Sequence, residues 1–364
     1  MSNKSKNFIN NRKKEMKEQI EYWIHNLESG VLRLVERILL GFNVSDILAG
    51  NLGQIQHLDE VKQQIKTRKL LQESILQHPM DEINGLPVEA TSPQYYFEFK
   101  NAKVDILTGL IVLDAGFVVD STLAKWQKII FRGGIGSSIK RTKRARLKLS
   151  GSYVVLPHSP FYYHTVIDEL PNLLRIRGHN KECKNVLVHA LTPQWALELL
   201  EFFEFTVTKL EKKAVIVENL FSLSAPRVVV RKNLDYLRQN IKKNPNKILI
   251  VSRKGAPRSD NSIERAILAQ IPNSELVDPG DFSIAEQIKL FSDAKTIIGL
   301  HGGALTNAVW MDNSGKLVEV FNHAYRTSDY QRLCAELGMS YISIDFMDLD
   351  ANQVALDVER HVNE

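Results

Sequence analysis

Thr296-Ile297-Ile298-Gly299-Leu300-His301-Gly302-Gly303-Ala304-Leu305-Thr306-Asn307 is the stretch on which the reading of this chain turns. Its first half is a short, β-branched apolar run of the kind found in strands buried on both faces. Its second half opens with two glycines and an alanine and passes into a helical pattern, Leu305 to Met311. A buried strand that turns through small residues into a helix gathers backbone N–H groups at one point, where the helix dipole favours an anion. The glycines allow a ligand close approach to the main chain. A diphosphate suits such a turn, and His301 can add a donor to its oxygens. The plainer reading is a tight strand–helix connection around a satisfied histidine.

Outward from this turn the C-terminal half alternates regularly. Strands are expected at Ile248 to Val251, Leu276 to Val277, Thr296 to Gly299, Leu317 to Val320 and Tyr341 to Ile344, with amphipathic helices between them and a last helix from Asn352. Apolar strands separated by such helices imply a parallel sheet covered on both faces. Ligands of an open parallel sheet bind beyond the carboxyl ends of its strands. That directs attention to three turns. The one after Val251 carries Arg253 and Arg258, whose planar forks suit phosphate. The second is the glycine turn. The third follows the strand ending near Glu319, a carboxylate placed to accept from ribose hydroxyls by analogy with dinucleotide folds.

The N-terminal half is less regular. Lys103 to Leu107 and Ile111 to Leu113 read as a hairpin across Thr108-Gly109, and 132–138, with three glycines, reads as a flexible loop. Strands at Tyr153 to Leu156 and Asn185 to His189 alternate with helices at Phe161 to Ile176 and Pro193 to Phe203, followed by β-rich Val215 to Leu223. Arg231 to Asn246 suits a linker or connecting helix. Within the first of these helices, His164 and Asp168 are four apart and share a face. A carboxylate beside an imidazole can take a proton from a hydroxyl. Glu169 lies about 100° further round an α-helix and is the alternative base. An i,i+4 pair of this kind is also ordinary helix support.

Bulk properties exclude several classes. The chain has 364 residues and two cysteines, Cys183 and Cys334, too few for a disulfide framework or a thiolate metal site. No HExxH, zinc spacing or G-x-G-x-x-G is present, so neither a metal nor a nicotinamide cofactor is expected. The net charge of +5 is mild, but Lys140, Arg141, Lys143, Arg144, Arg146 and Lys148 lie within nine positions. Without interleaved aromatics this run does not suggest nucleic acid, and a solvated loop is the simpler account. From Lys4 to about Leu76 the pattern is helical, with an apolar stripe from Ile20 to Leu39. Such stripes usually pack on their own protein. A second reading rests this one peripherally on a membrane surface. No secretory signal or membrane span is read, so a cytoplasmic protein is expected.

The strings SRKGAPRSDN, FSIAEQIKLFSDAKTIIGLHGGALTNAVW and KLVEVF, with YYHTVIDELPNLL upstream, resemble glycosyltransferase family 61 over roughly Tyr153 to Ile344. The resemblance implies a GT-B-like α/β fold, two Rossmann-like domains facing a cleft, and metal-independent, inverting transfer of a sugar from a nucleotide donor. It places Arg253, Arg258, Glu286, Gln287, His301, Gly302, Gly303, Ala304 and Asn307 in donor-binding motifs. His164 and Asp168 fall in the acceptor-side motif, where a base is expected. Thr165 stands where an aromatic is frequent. The domain division expected is a helical extension over 1–90, an acceptor-side domain over 91–235, a donor domain over 236–345 and a helix over 346–364. Partners would be a nucleotide sugar and a saccharide or lipid-linked acceptor, in bacterial surface polysaccharide synthesis. The rivals are another GT-B-like transferase, such as one moving pyruvate, and a non-catalytic nucleotide-sugar-binding subunit.

Overall fold

Strand-forming sequence organises this chain into two main sheets. The computed structural model describes residues 65–69, 73–74, 91–92, 95–113, 118–119, 134–223, 231–252, 261–321, 326–346 and 350–363. The expected amphipathic stripe from Ile20 to Leu39 and the arginines Arg253 and Arg258 lie outside them.

The first sheet is mixed. Its strands are β1 (Ile65–Lys69), β4 (Tyr95–Asp105), β5 (Ile111–Val112), β6 (Val118–Val119), β7 (Lys148–Val155), β8 (Asn185–His189), β9 (Thr206–Leu210) and β10 (Ala214–Leu223). They run in the order β6-β5-β4-β10-β7-β8-β9, with β1 added antiparallel to β4. Strand β4 is long because Phe97, Phe99, Ala102 and Val104 all bury against β10 and its neighbours. The hairpin expected across Thr108-Gly109 is present, with Val104 opposite Ile111 and Gly109 at φ 73°. From β10 onward the sheet is parallel through β7, β8 and β9. A separate two-stranded ladder joins β2 (Glu73–Ser74) to β3 (Thr91–Ser92). Strands at 65–69 and 73–74 correct the helical expectation there; charge and short apolar spacings do not distinguish a helix from an edge strand paired to β4.

Helix α1 (Gly134–Lys143) replaces the loop expected at 132–138. Glycine disfavours helix by about 1 kcal/mol per residue, but tertiary bonds override that cost. The buried carboxylate of Asp105 accepts from the Ser138 hydroxyl and from the Arg141 guanidinium at 2.5 Å, which anchors the helix to the hairpin. Beyond Arg141 the basic run is largely exposed, continuing through a short link into β7.

The second sheet has five strands, β11 (Lys247–Val251), β12 (Ser274–Val277), β13 (Ala294–Leu300), β14 (Lys316–Phe321) and β15 (Ser340–Asp345). All its pairings are parallel, in the order β12-β11-β13-β14-β15, as the alternation of apolar strands and helices predicted. Helices α5 (Asn261–Gln270) and α8 (Ala351–Asn363) cover one face, with Ile263, Ile267, Val354 and Val358 against Ile250, Ile298 and Val318. Asp350 accepts from the N–H of Gln353, so this residue opens α8.

The other face meets the first sheet's helices. Helix α2 (Leu170–His179), α3 (Gln194–Phe202), α4 (Arg231–Arg238), α6 (Ile284–Ser292) and α7 (Asp329–Leu337) enclose one apolar cluster that runs from Val154 and Leu173 to Leu249, Phe291 and the fully buried Trp310. The two sheets therefore share a continuous core. The stretch expected to be a linker or connecting helix is α4, whose Leu234 and Leu237 are buried in that core.

Candidate active site

Two strand-to-helix corners meet across this shared core. The first is the glycine turn. Residue Gly299 sits in β13 between Val251 of β11 and Glu319 of β14. A Cβ there would meet Leu305 at 3.0 Å and the Val251 carbonyl at 3.2 Å, so this glycine serves close packing. The helix that follows, Gly303–Trp310, is a 3₁₀-helix rather than the expected α-helix. Its first internal bond runs from the Leu305 N–H to the Gly302 carbonyl. The N–H groups of Gly303 and Ala304 precede that bond, as orphan donors at a helix start do. Gly303 is exposed, and a Cβ built on it meets nothing within 4 Å. Nothing in the fold demands glycine there, while the open space above it is where a ligand would press against the backbone.

The side chains around the turn are tied to one another. His301 Nδ1 lies 2.5 Å from Glu319 Oε1, and Glu319, 0% exposed, accepts from the Tyr341 hydroxyl on its other oxygen at 2.7 Å. A carboxylate can only accept, so the Nδ1 hydrogen points at Glu319 and fixes the ring. Phe321 stacks on that ring, with centroids 5.1 Å apart. Tyr330, on α7, donates to the Gly302 carbonyl at 2.6 Å and pins the turn from behind.

Several residues expected at the donor site have other employment. Glu319, expected near a ribose, is fully buried with one protein partner on each oxygen. Glu286 is exposed and closes a capping box on Ser283, accepting from its N–H at 2.8 Å and its hydroxyl at 2.7 Å. Those two bonds hold its carboxyl below the usual range. Asn307 is buried and fully engaged. It accepts from the Tyr162 hydroxyl at 2.9 Å and from the Trp310 indole at 3.1 Å, and donates to Gln287, itself buried, at 3.3 Å. Asn307 and Gln287 are thus a brace under the turn. These departures share one cause: a motif position says that a residue is needed, not whether ligand or protein needs it. His301, Gly302, Gly303 and Ala304 do form the turn. At the neighbouring strand end, Ser252 donates to the buried Glu264 at 2.8 Å.

The second corner carries His164 and Asp168. The segment His164–Glu169 is a π-helix leading directly into α2, so the offset computed for an α-helix does not apply to Glu169. His164 Nδ1 lies 2.7 Å from Asp168 Oδ2, and both side chains keep some exposure. Burial raises the Asp168 carboxyl, the bond and charge of His164 oppose that, and Asp329 of α7 adds to the rise. Burial first, and then Asp168, push Glu169 from 4.5 up to about 8. Both carboxyls are thus shifted upward, and Glu169 is mostly protonated at neutral pH.

The two corners touch through tyrosines that the motif reading used only as landmarks. Tyr162 bonds Asn307 directly. The Tyr163 ring stands 5.6 Å from that of Tyr330 and 5.5 Å from that of His164. Burial, with Asp329, Asp168, Tyr330 and Glu319 nearby, raises its phenol well above the ordinary value. Tyr163 therefore meets the His164–Asp168 pair at His164 and reaches the His301–Glu319 pair through Tyr330, whose ring lies 5.9 Å from that of His301. The aromatic run before His164 was a visible signal; Tyr330 and Tyr341 had none in the sequence. No group of three His, Cys, Asp or Glu placed to hold a cation occurs among the described residues, and no helix among them is long and apolar enough to cross a membrane.

The glycosyltransferase 61 family model matches residues 162–318, which begins at Tyr162 and takes in both corners. That segment belongs to glycosyltransferase family 61. The chain is accordingly a glycosyltransferase, a class that binds a sugar donor and a saccharide acceptor. No curated protein matches it in sequence. Solved structures that resemble it include a diflavin flavoprotein A3 from Nostoc sp., 13% identical over 34% of this chain and 96% of that one, with a TM-score of 0.27. A flavodoxin-like domain from Synechococcus sp. is 14% identical over 32% and 99%, with a TM-score of 0.26. Superpositions this loose carry no weight for architecture or function.

Proposed function

We propose that this glycosyltransferase inverts the anomeric centre by direct displacement, without a metal, with Asp168 as base and the glycine turn as the diphosphate site. The observation that carries the proposal is the Tyr162–Asn307 bond, which docks the helix bearing His164 and Asp168 on the turn that would hold the leaving group. In this reading the acceptor O–H gives its proton to Asp168, and its oxygen forms a bond to the anomeric carbon. The bond from that carbon to the diphosphate oxygen breaks on the opposite side. The charge left on the diphosphate meets the N–H groups of Gly303 and Ala304 and the Glu319-oriented His301, donors that need no reorganisation during the reaction. Glu169, raised to about 8, is mostly protonated at pH 7 and a poor base. We further propose a GT-B-like arrangement with the acceptor over the first sheet, and a role in bacterial surface polysaccharide synthesis, both supported by the family resemblance.

Replacing Asp168 with Asn should lower transfer by about 10²–10⁴-fold, the usual contribution of a positioned base. Nucleoside diphosphate affinity, read by calorimetry, should stay within a fewfold. A variant that transfers sugar at the wild-type rate removes Asp168 from the mechanism. Strong inhibition by a chelator, reversed by a divalent cation, removes the metal-free claim.

A further inference from the structure

The carboxyl ends of β7 and β8 hold hydrogen-bonding capacity that the protein does not use. His189 closes β8 and is 4% exposed. Its Nδ1 accepts from the Leu191 N–H at 3.1 Å, so its proton sits on Nε2. That Nε2–H is buried and finds no acceptor among the described residues. His158, just past β7, faces it with ring centroids 6.4 Å apart, and its buried Nδ1 has no partner either. The hydroxyl of Thr192, 7% exposed, is a third such atom. Buried polar groups left unpaired cost about 1–3 kcal/mol each, and native proteins carry few of them. Three within two adjacent strand-end loops call for an external partner.

Their position says which one. Parallel strands present ligands at their carboxyl ends, and these two loops border the candidate active site. Phe161, three residues past His158, is 48% exposed with its ring 6.0 Å from that of His164. The loops are held together where Tyr162 meets Trp195 at 5.3 Å, and Tyr162 is the residue bonded to Asn307 of the donor turn. Burial lowers the His158 imidazole and the neighbouring His189 adds to this, which favours the uncharged ring at His158. Polar atoms beside an exposed aromatic ring, with no lysine or arginine in either loop, suit hydroxyls of a neutral sugar better than a phosphate, which would want cations.

We propose that the loops following β7 and β8 form a saccharide subsite, in which His158, His189 and Thr192 bond sugar hydroxyls and Phe161 lies against the ring. Its assignment to the acceptor rests on the glycosyltransferase mechanism above, but sugar binding itself does not require turnover. The test is saturation-transfer NMR on the full chain with the methyl glycosides of glucose, galactose and N-acetylglucosamine. At least one should show transfer from the wild-type protein, falling fivefold or more in both Phe161→Ala and Thr192→Val. The second variant replaces an unpaired hydroxyl by a methyl group, so its melting temperature should hold or rise, which excludes misfolding as the cause. Absence of transfer from every glycoside to the wild type overturns the subsite, as does an undiminished signal in both variants. A fall in melting temperature of Thr192→Val with unchanged sugar binding also overturns it, since the hydroxyl then holds structural water. A parallel thermal-shift titration of wild-type protein with nucleoside diphosphates reads the donor turn alone, and its failure strikes the mechanism rather than this subsite.

Discussion

The two corners of the site are built on opposite principles. At the glycine turn nearly every polar side chain has found a protein partner: His301 with Glu319, Glu319 with Tyr341, Tyr330 with Gly302, Asn307 with Tyr162, Trp310 and Gln287. What this corner offers a ligand is the main-chain donors at Gly303 and Ala304 beside a histidine ring already held in place. Beside the second corner, in the loops after β7 and β8, His158 Nδ1, His189 Nε2 and the Thr192 hydroxyl have no partner among the described residues. A corner of the first kind is preorganised for one charged group that does not vary. A corner of the second kind leaves recognition to side chains, which is the cheaper place to change a preference.

This contrast can be broken most forcefully at Glu319. In Glu319→Gln the buried charge behind His301 is lost, and a hydrogen bond to a charged group is worth about 1.5–3 kcal/mol. Turnover should fall roughly tenfold to a hundredfold by the same measure, with the sugar-binding signal intact. If the loss appears instead as weaker saccharide binding with normal turnover, the division of labour between the corners is wrong. A smaller effect is expected at Gly303→Ala. Because the added methyl meets no protein atom within 4 Å, the melting temperature should not move, while donor KM rises by about the 1–3 kcal/mol that overpacking costs. Unchanged donor kinetics would place the diphosphate elsewhere.

A third test concerns stability rather than turnover. Glu169 is raised from 4.5 to about 8, so the native state binds its proton more tightly than the unfolded state. Between those values stability falls as pH rises, and the penalty is complete above about 8. Glu169→Gln should therefore be more stable than wild type at pH 8.5 and show little difference at pH 4.5. Melting curves at the two pH values decide it, and equal shifts at both would assign Glu169 a packing role only.

The parallel sheet was legible because β11, β13 and β14 are predominantly apolar runs of the kind a doubly covered sheet buries. The turn after β13 was legible for the same reason: Gly302, Gly303 and Ala304 stand where apolar residues stop. The first sheet was harder. Helix α1 depends on Ser138 and Arg141 reaching Asp105, a contact more than thirty positions away that no local pattern records. The family resemblance located the segment that carries the site but not the division of its residues between ligand and scaffold. Glu319, Asn307 and Glu286 look alike in a motif, and only their partners tell them apart.

The π-helix at His164–Glu169 has a consequence for comparing sequences. A histidine and an aspartate four positions apart have one geometry on a regular α-helix, offset by about 40°, and another where the turn widens to span five residues. The Leu170 N–H reaches back to the Thr165 carbonyl, which marks the wider turn. The written spacing is therefore not transferable by itself. Deleting a single residue from this turn would restore ordinary winding, keep most of the motif's letters and point the pair somewhere else. A homologue one residue shorter here deserves to be treated as a different site, however well its letters align.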